Sequence, residues 1–163
     1  MYSTPIAHHI TWGTYGTRLH GDSRGTVDRD HNEYGEPVIG FDQHRWYRET
    51  RELKHPVVRF EQTEMKLVES LVPSICERGG WELHACAGGP DHVHVLLDAR
   101  NKADAKSVRR MLKRWLGQAL CEQNPRPDGA SWWAECGSAK YVFERDYFFA
   151  ALEYVRKQRA TPP

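Results

Sequence analysis

The sequence predicts an α+β fold in which one antiparallel sheet carries helices on both faces. Segments with alternating apolar side chains are interspersed with segments of helical spacing, in the order strand, helix, strand, strand, helix, strand and a further helix. A chain of 163 residues is long enough to bury a core without disulfide bonds. We therefore expect a single domain over residues 1–163.

The first strand is predicted over residues 7–16, AHHITWGTYG, where β-branched and aromatic residues precede a glycine-rich exit. The overlapping polar segment 14–56 is rich in Gly, Asp, Arg and His and has no sustained period. We expect a long polar loop or insertion there, and a loop of this length within a compact domain is often functional.

The middle of the chain predicts a helix followed by a β-hairpin. Residues 61–80 have apolar side chains at helical spacing and end on a glycine pair, with a kink expected at Pro73. Residues 81–88 alternate as a strand, and a Gly-Gly-Pro turn leads into a second strand that contains HVHVLLD.

The last third of the chain predicts two helices around a short strand. Residues 103–122 form an amphipathic helix, residues 138–143 a strand and residues 144–160 a final helix. The order βαββαβ is typical of a ferredoxin-like antiparallel sheet. The first two helices should then cover one face of the sheet, and the last helix should cover the other.

Composition excludes several classes of protein. No run of about 18 apolar residues indicates a membrane helix, and the first residues lack a secretory signal pattern. The net charge of +1 does not by itself indicate a nucleic-acid-binding protein. We expect free thiols and a cytoplasmic location, because the cysteines show no Cys-x-x-Cys spacing. They are Cys76, Cys86, Cys121 and Cys136.

Two histidines stand one residue apart in the segment DHVHVLLDA, residues 91–99. In a strand, His92 and His94 share one face, whereas Val93 and Val95 point to the other. This geometry suits two metal ligands, but it also suits two half-buried structural histidines. The pattern alone leaves both interpretations open.

The final helix places a phenol and an amide one turn apart, at Tyr154 and Gln158. Tyr147 lies two turns before Tyr154 on the same side. A helical tyrosine is commonly a surface residue with its hydroxyl in water. If this helix packs on the second face of the sheet, the phenol and the amide reach toward the histidines.

Together these motifs resemble a known family. DHVHVLLDA resembles the His-hydrophobic-His motif of HUH endonucleases. ALEYVRKQ resembles the helix of single-tyrosine HUH transposases (IS200-like transposases), where Gln or Asn follows the Tyr by four residues. ITWGTYG and SWWAECGSAKYV resemble the REP-associated tyrosine transposase branch, and the similarity extends from about Pro5 to Gln158.

The resemblance implies that His92, His94 and Gln158 bind a divalent metal, Mg²⁺ or Mn²⁺, and that Tyr154 is the nucleophile. The implied reaction cleaves and rejoins single-stranded DNA through a 5′-phosphotyrosine, at element ends that carry hairpins. Since the chain has one such Tyr motif, a reaction on two strands requires a homodimer or two successive events.

A basic run supplies candidate DNA contacts. Between residues 100 and 117 there are seven basic side chains and one acidic one. This predicts a phosphate-binding track, although a solvated helix face is the alternative. The candidates are Lys106, Arg109, Arg110, Lys113 and Arg114. Candidates for stacking on unpaired bases are Trp132, Trp133 and Tyr141, although the two tryptophans could equally belong to the core. Candidates for contacts to a hairpin or to flanking nucleotides are Arg18, Arg24 and Arg29.

Two other functions are consistent with parts of the sequence. A domesticated relative would bind DNA hairpins without moving a DNA element, and the intact Tyr and His motifs argue against this function. A cupin-like metalloenzyme is suggested by His92-x-His94 followed by Asp98. Cupins are all-β, so three predicted helices argue against that function.

Overall fold

The computed structural model describes residues 4–22, 40–100 and 102–161. Arg24 and Arg29 lie outside these ranges. The elements, in chain order, are β1 (Ala7–Gly13), α1 (Gln43–Glu52), α2 (Gln62–Gly79), β2 (Glu82–Gly88), β3 (His92–Asp98), α3 (Ala105–Gln123), β4 (Ser138–Val142) and α4 (Arg145–Lys157). The predicted α+β class is confirmed.

One antiparallel sheet contains the described strands in the order β2-β3-β1-β4. The histidine strand β3 is interior, with β2 on one side and β1 on the other. In the β1–β3 register, Thr11 lies opposite His94 and Gly13 opposite His92. The two histidines therefore sit beside the middle and end of β1.

Helices cover both faces of the sheet, as the alternation of apolar residues predicts. On one face, α2 and α3 bury the main core, which includes Ile10, Trp12, Val93, Val95 and Leu97. On the other face, α4 buries a smaller second core: Ala7, Ala85, Ala87, Leu96, Val142, Ala151 and Val155. The second core contains four alanines, so little side-chain volume separates α4 from the sheet.

Helix α1 lies within the segment 14–56 that the sequence pattern predicts as a loop. Its first turn is capped by the Asp42 carboxylate, which accepts a hydrogen bond from the Arg45 backbone N–H at 3.0 Å. None of its residues is buried. Because helical spacing of apolar residues is the main sequence signal for a helix, a helix without a buried face gives little signal.

Helix α4 is shorter than the predicted 144–160, since it ends at Lys157 with Gln158 as its C-cap. The chain leaves the helix where the Glu69 carboxylate accepts hydrogen bonds from the backbone N–H groups of Ala160 and Thr161. These N–H groups can no longer continue the helical ladder. A tertiary contact therefore sets the end of α4.

Trp132 and Trp133 are part of the main core and are each 6% exposed. Their ring nitrogens donate hydrogen bonds to the Cys121 sulfur at 3.1 Å and to the Lys113 carbonyl at 2.7 Å, respectively. The stacking interpretation is therefore wrong for both tryptophans. Tyr141 on β4 is 39% exposed, so its ring remains accessible.

Cys76 and Cys86 are buried and have free thiols. In the part of the chain that the structure describes, no helix combines the length and apolarity that a membrane span requires.

Candidate functional site

The two histidines of β3 meet on the sheet face that α4 covers. Their ring centroids are 4.7 Å apart and their ring planes are nearly perpendicular, at 82°. The residues between and after them, Val93 and Val95, are completely buried in the main core on the opposite face. The strict alternation of β3 therefore separates a core face from a polar face.

Each imidazole is oriented through its Nδ1 atom. The Nδ1–H of His92 donates to the Asp91 carboxylate at 2.6 Å, and Arg18 pairs with the same carboxylate oxygen at 3.4 Å. Nδ1 of His94 shares a hydrogen bond with the Thr11 hydroxyl at 2.8 Å. In both rings this leaves Nε2 as the nitrogen for an incoming ligand, an arrangement that commonly orients metal-binding histidines.

Burial keeps two imidazoles neutral, that of His94 and that of its neighbour His9 on β1. Burial lowers the pKa of His94 to about 3, and the positive charges that His92, His9 and Arg18 can carry act in the same direction. Burial also lowers the pKa of His9 to about 4, with a smaller contribution from Lys140. Near pH 7 both rings are therefore uncharged, which is the form that binds a metal ion.

Helix α4 brings a tyrosine and an amide to the same place. The ring of Tyr154 packs edge-on against His94, with centroids 5.3 Å apart and an interplanar angle of 89°. Gln158 keeps helical backbone angles as the C-cap (φ −84°, ψ −8°), so it stays one turn beyond Tyr154. Tyr154 is 49% exposed and lines the cleft beside the histidines.

One cleft of about 1040 Å³ is lined by His92, His94, Tyr154 and Gln158. The cleft continues from the histidine pair past Arg18 to α1, where Arg45, Glu49 and Glu52 line it. Tyr147 is not among the lining residues. The structure thus brings together His92, His94, Tyr154 and Gln158, although they come from two elements that are far apart in sequence.

His9 is a neighbour of the site that the sequence pattern did not single out. Its ring centroid lies 5.6 Å from that of His94 and 6.3 Å from that of Tyr154. Its buried Nε2 has no hydrogen-bond partner among the described residues. The alternation of β1 places His9 on the same face as Thr11. This indicates that His9 lies near His94 only once β1 is known to pair with β3.

Two imidazoles and one amide oxygen are ligand types that suit a divalent cation. Within residues 4–22, 40–100 and 102–161, no three His, Cys, Asp or Glu side chains form a group able to hold a metal ion. Gln158, whose side chain lines the same cleft, is the candidate for a third protein ligand. Such a set leaves positions for phosphate and water oxygens, as Mg²⁺ and Mn²⁺ require.

The five basic candidates of α3 divide into two groups. Lys106, Arg110 and Arg114 are exposed. Arg109 donates to the Gly137 carbonyl, and Lys113 donates to three carbonyls, of Ala134 at 2.7 Å, Glu135 at 3.0 Å and Cys136 at 3.4 Å. The second group therefore fastens the segment 134–137 to α3.

Lys113→Met is expected to destabilise the protein by at least about 2 kcal/mol, because even one hydrogen bond to a charged group contributes roughly 1.5–3 kcal/mol. Burial lowers the pKa of Lys113 to about 8, so the ammonium remains charged at pH 7. Urea unfolding at pH 7 measures the change. The control Arg114→Met, at an exposed position of the same helix, should stay within about 0.5 kcal/mol of wild type. Equal stability of the two variants would contradict the structural role of Lys113.

The fold and the cleft define a class: an α+β protein with a histidine pair on an interior strand that faces a helix-borne tyrosine. The family model for IS200-like transposases matches residues 52–159, a stretch that includes His92, His94, Tyr154 and Gln158. The chain belongs to the IS200-like transposase family. A transposase role, and with it DNA as the partner, follows from this membership.

One solved structure supports the fold. A provisionally assigned transposase from Deinococcus radiodurans R1 is similar over 98% of this chain and 95% of that one, with a TM-score of 0.51 and 18% identity. At this identity the similarity concerns the fold alone. No curated protein matches the chain.

Proposed function

We propose that this transposase is a metal-dependent enzyme that cleaves and rejoins single-stranded DNA through Tyr154, at element ends that carry hairpins. The observation that carries the proposal is the convergence of Tyr154, Gln158, His92 and His94 in one cleft. The nucleophile and one ligand come from one helix, and two further ligands come from the facing strand.

In the proposed reaction, the Tyr154 hydroxyl attacks a backbone phosphorus. A bond forms between the phenolic oxygen and phosphorus, and the bond between phosphorus and the 3′ oxygen breaks. The products are a 5′-phosphotyrosine and a free 3′-hydroxyl that takes up the proton released by the phenol. Attack by a 3′-hydroxyl on the phosphotyrosine reverses the step without an external energy source.

A phenol has a pKa of roughly 10, so it is a weak nucleophile at neutral pH unless its target is polarised. Mg²⁺ or Mn²⁺ bound by His92, His94 and Gln158 would supply Lewis-acid polarisation of the phosphate. The chain contributes orientation: Asp91 and Thr11 hold the imidazoles, and the packing of Tyr154 against His94 holds the phenol at the cleft.

The test incubates the protein with labelled single-stranded and hairpin oligonucleotides in the presence of Mn²⁺. We expect a protein–DNA adduct that survives SDS and that EDTA prevents. Hairpin binding without any adduct would overturn the proposed chemistry and would favour the domesticated, non-mobilising relative.

The exposed cations of α3 are the proposed phosphate contacts. Lys106→Ala and Arg110→Ala are each expected to weaken binding to all sequences and to reduce the slope of log K against log salt by about 0.7 for single strands. Affinity measured over a salt series checks this. Lys66→Ala, at an exposed position of α2, serves as the control, and an unchanged slope in the α3 variants would mean that these side chains are only solvated.

A further inference from the structure

Glu69 is a buried carboxylate on α2 that binds backbone N–H groups from two other parts of the chain. Its Oε1 atom accepts from Gly88 at 3.1 Å and from Ala160 at 2.7 Å. Its Oε2 atom accepts from Thr161 at 3.0 Å and lies 3.9 Å from Arg159 Nε. The side chain is 2% exposed, so these contacts replace its hydration.

The two segments that Glu69 joins flank the candidate site. Gly88 ends β2, and the short turn after it leads directly to His92 on β3. Ala160 and Thr161 come after Gln158, the last residue of α4 with helical angles, with only Arg159 in between. A second residue of α2 supports the same connection, since the Gln62 side-chain amide donates to the Ala160 carbonyl at 3.0 Å.

The last turn of α4 closes through backbone hydrogen bonds of its own. The N–H groups of Gln158 and Arg159 donate to the carbonyls of Val155 at 3.1 Å and Arg156 at 3.4 Å, and helix ends of this kind fray unless tertiary contacts hold them. The apolar contacts of α4 with the sheet are made through the small second core, whose α4 members end at Val155. Gln158 lies beyond those contacts, and the adjoining segment is the one bound by Glu69.

We propose that Glu69 is a positioning residue that fixes Gln158, and through the same helix Tyr154, against the histidine pair. This assignment rests on the proposed function of the site. Buried charge-assisted hydrogen bonds to backbone N–H groups are among the stronger ones in proteins, and they are costly to lose when the carboxylate has no water to replace them. The Glu69 carboxylate thereby connects the end of β2, next to the histidine strand, with the end of α4.

Trypsin cleavage of the Arg159–Ala160 bond tests the attachment directly, because the Ala160 N–H is one of the groups that Glu69 binds. We expect cleavage in Glu69→Ala to be at least about tenfold faster than in wild type, since cleavage follows the population of the open form. Glu69→Gln should be intermediate, because its amide oxygen can replace only one carboxylate oxygen. Glu77→Ala, at an exposed position of the same helix, should match wild type. Equal rates in all four proteins would overturn the proposal.

Adduct formation by the full chain then separates positioning from general stability. In Glu69→Gln we expect kcat to fall at least about tenfold with an unchanged KM for DNA, because displacement of reacting groups affects the rate more than binding. An unchanged kcat, or a parallel loss of DNA binding and thermal stability, would overturn the positioning role. If wild type forms no adduct, the proposed function fails, whereas the trypsin series still decides whether Glu69 holds the end of α4.

Discussion

Tyr154→Phe is expected to abolish the covalent protein–DNA adduct, a loss on the order of 10⁴-fold or more, and to leave DNA affinity near that of wild type. The substitution removes only the hydroxyl that would attack phosphorus. The ring, and with it the edge-on contact to His94 at 5.3 Å, is retained. Adduct yield on denaturing gels and affinity by fluorescence anisotropy measure the two effects separately.

Tyr147→Phe is the matched control, because Tyr147 lies on the same helix but does not line the cleft. It should form adduct at the wild-type level. Mass spectrometry of the trapped peptide identifies the linked residue directly. A DNA-linked peptide that contains Tyr147, or full activity in Tyr154→Phe, would overturn the assignment of the nucleophile.

His92→Ala and His94→Ala are expected to abolish cleavage and to lower Mn²⁺ affinity by at least about 100-fold, while hairpin binding persists. Each variant removes one of two imidazoles from the proposed three-residue donor set, and loss even of a supporting partner of a metal ligand typically costs 10–100-fold in metal affinity. Loss of the hydrogen bond between His94 and Thr11 should cost only about 1 kcal/mol of stability. Metal titration, cleavage and thermal unfolding of each variant check these expectations.

His84→Ala provides the control for the histidine variants, because His84 lies on β2 and packs against Phe148 rather than lining the cleft. It should bind Mn²⁺ and cleave DNA as wild type does. If His92→Ala or His94→Ala unfolds and metal has no effect on wild-type activity, the two residues are ordinary core histidines.

The sequence predicted the elements that bury an apolar face. The amphipathic pattern of α3 and the alternation in β3 both report burial, and burial is what the pattern of apolar residues encodes. Helix α1 has no fully buried residue and was not predicted. The sequence predicted that α4 continues to residue 160, whereas it ends at Lys157. The Glu69 carboxylate that sets this end is 91 residues from Ala160 in sequence, so no local pattern reports it.

For the site, the residue types and their spacing predicted which side chains to consider, whereas their meeting in space depends on packing. His92 and His94 share a face by strand geometry alone. Their approach to Tyr154 requires α4 to lie on that face, which the position of the second core determines. The sequence did not single out His9, because its neighbours come from β3 and α4. It also did not separate the structural from the exposed cations of α3, because nothing in the sequence places the carbonyls of residues 134–136 near Lys113.

The position of β1 in the interior of the sheet has a consequence for how the chain folds. β1 pairs with β3 and β4, so both of its ladders join residues that are distant in sequence, with Thr11 and His94 separated by 83 positions. Such non-local pairing raises the contact order and slows folding, whereas the β2–β3 hairpin and the helices can form from local contacts. We expect closure of β1 between its two partners to be a late step. Trp12 on β1, 5.6 Å from Trp133, provides a native fluorescent reporter of that step.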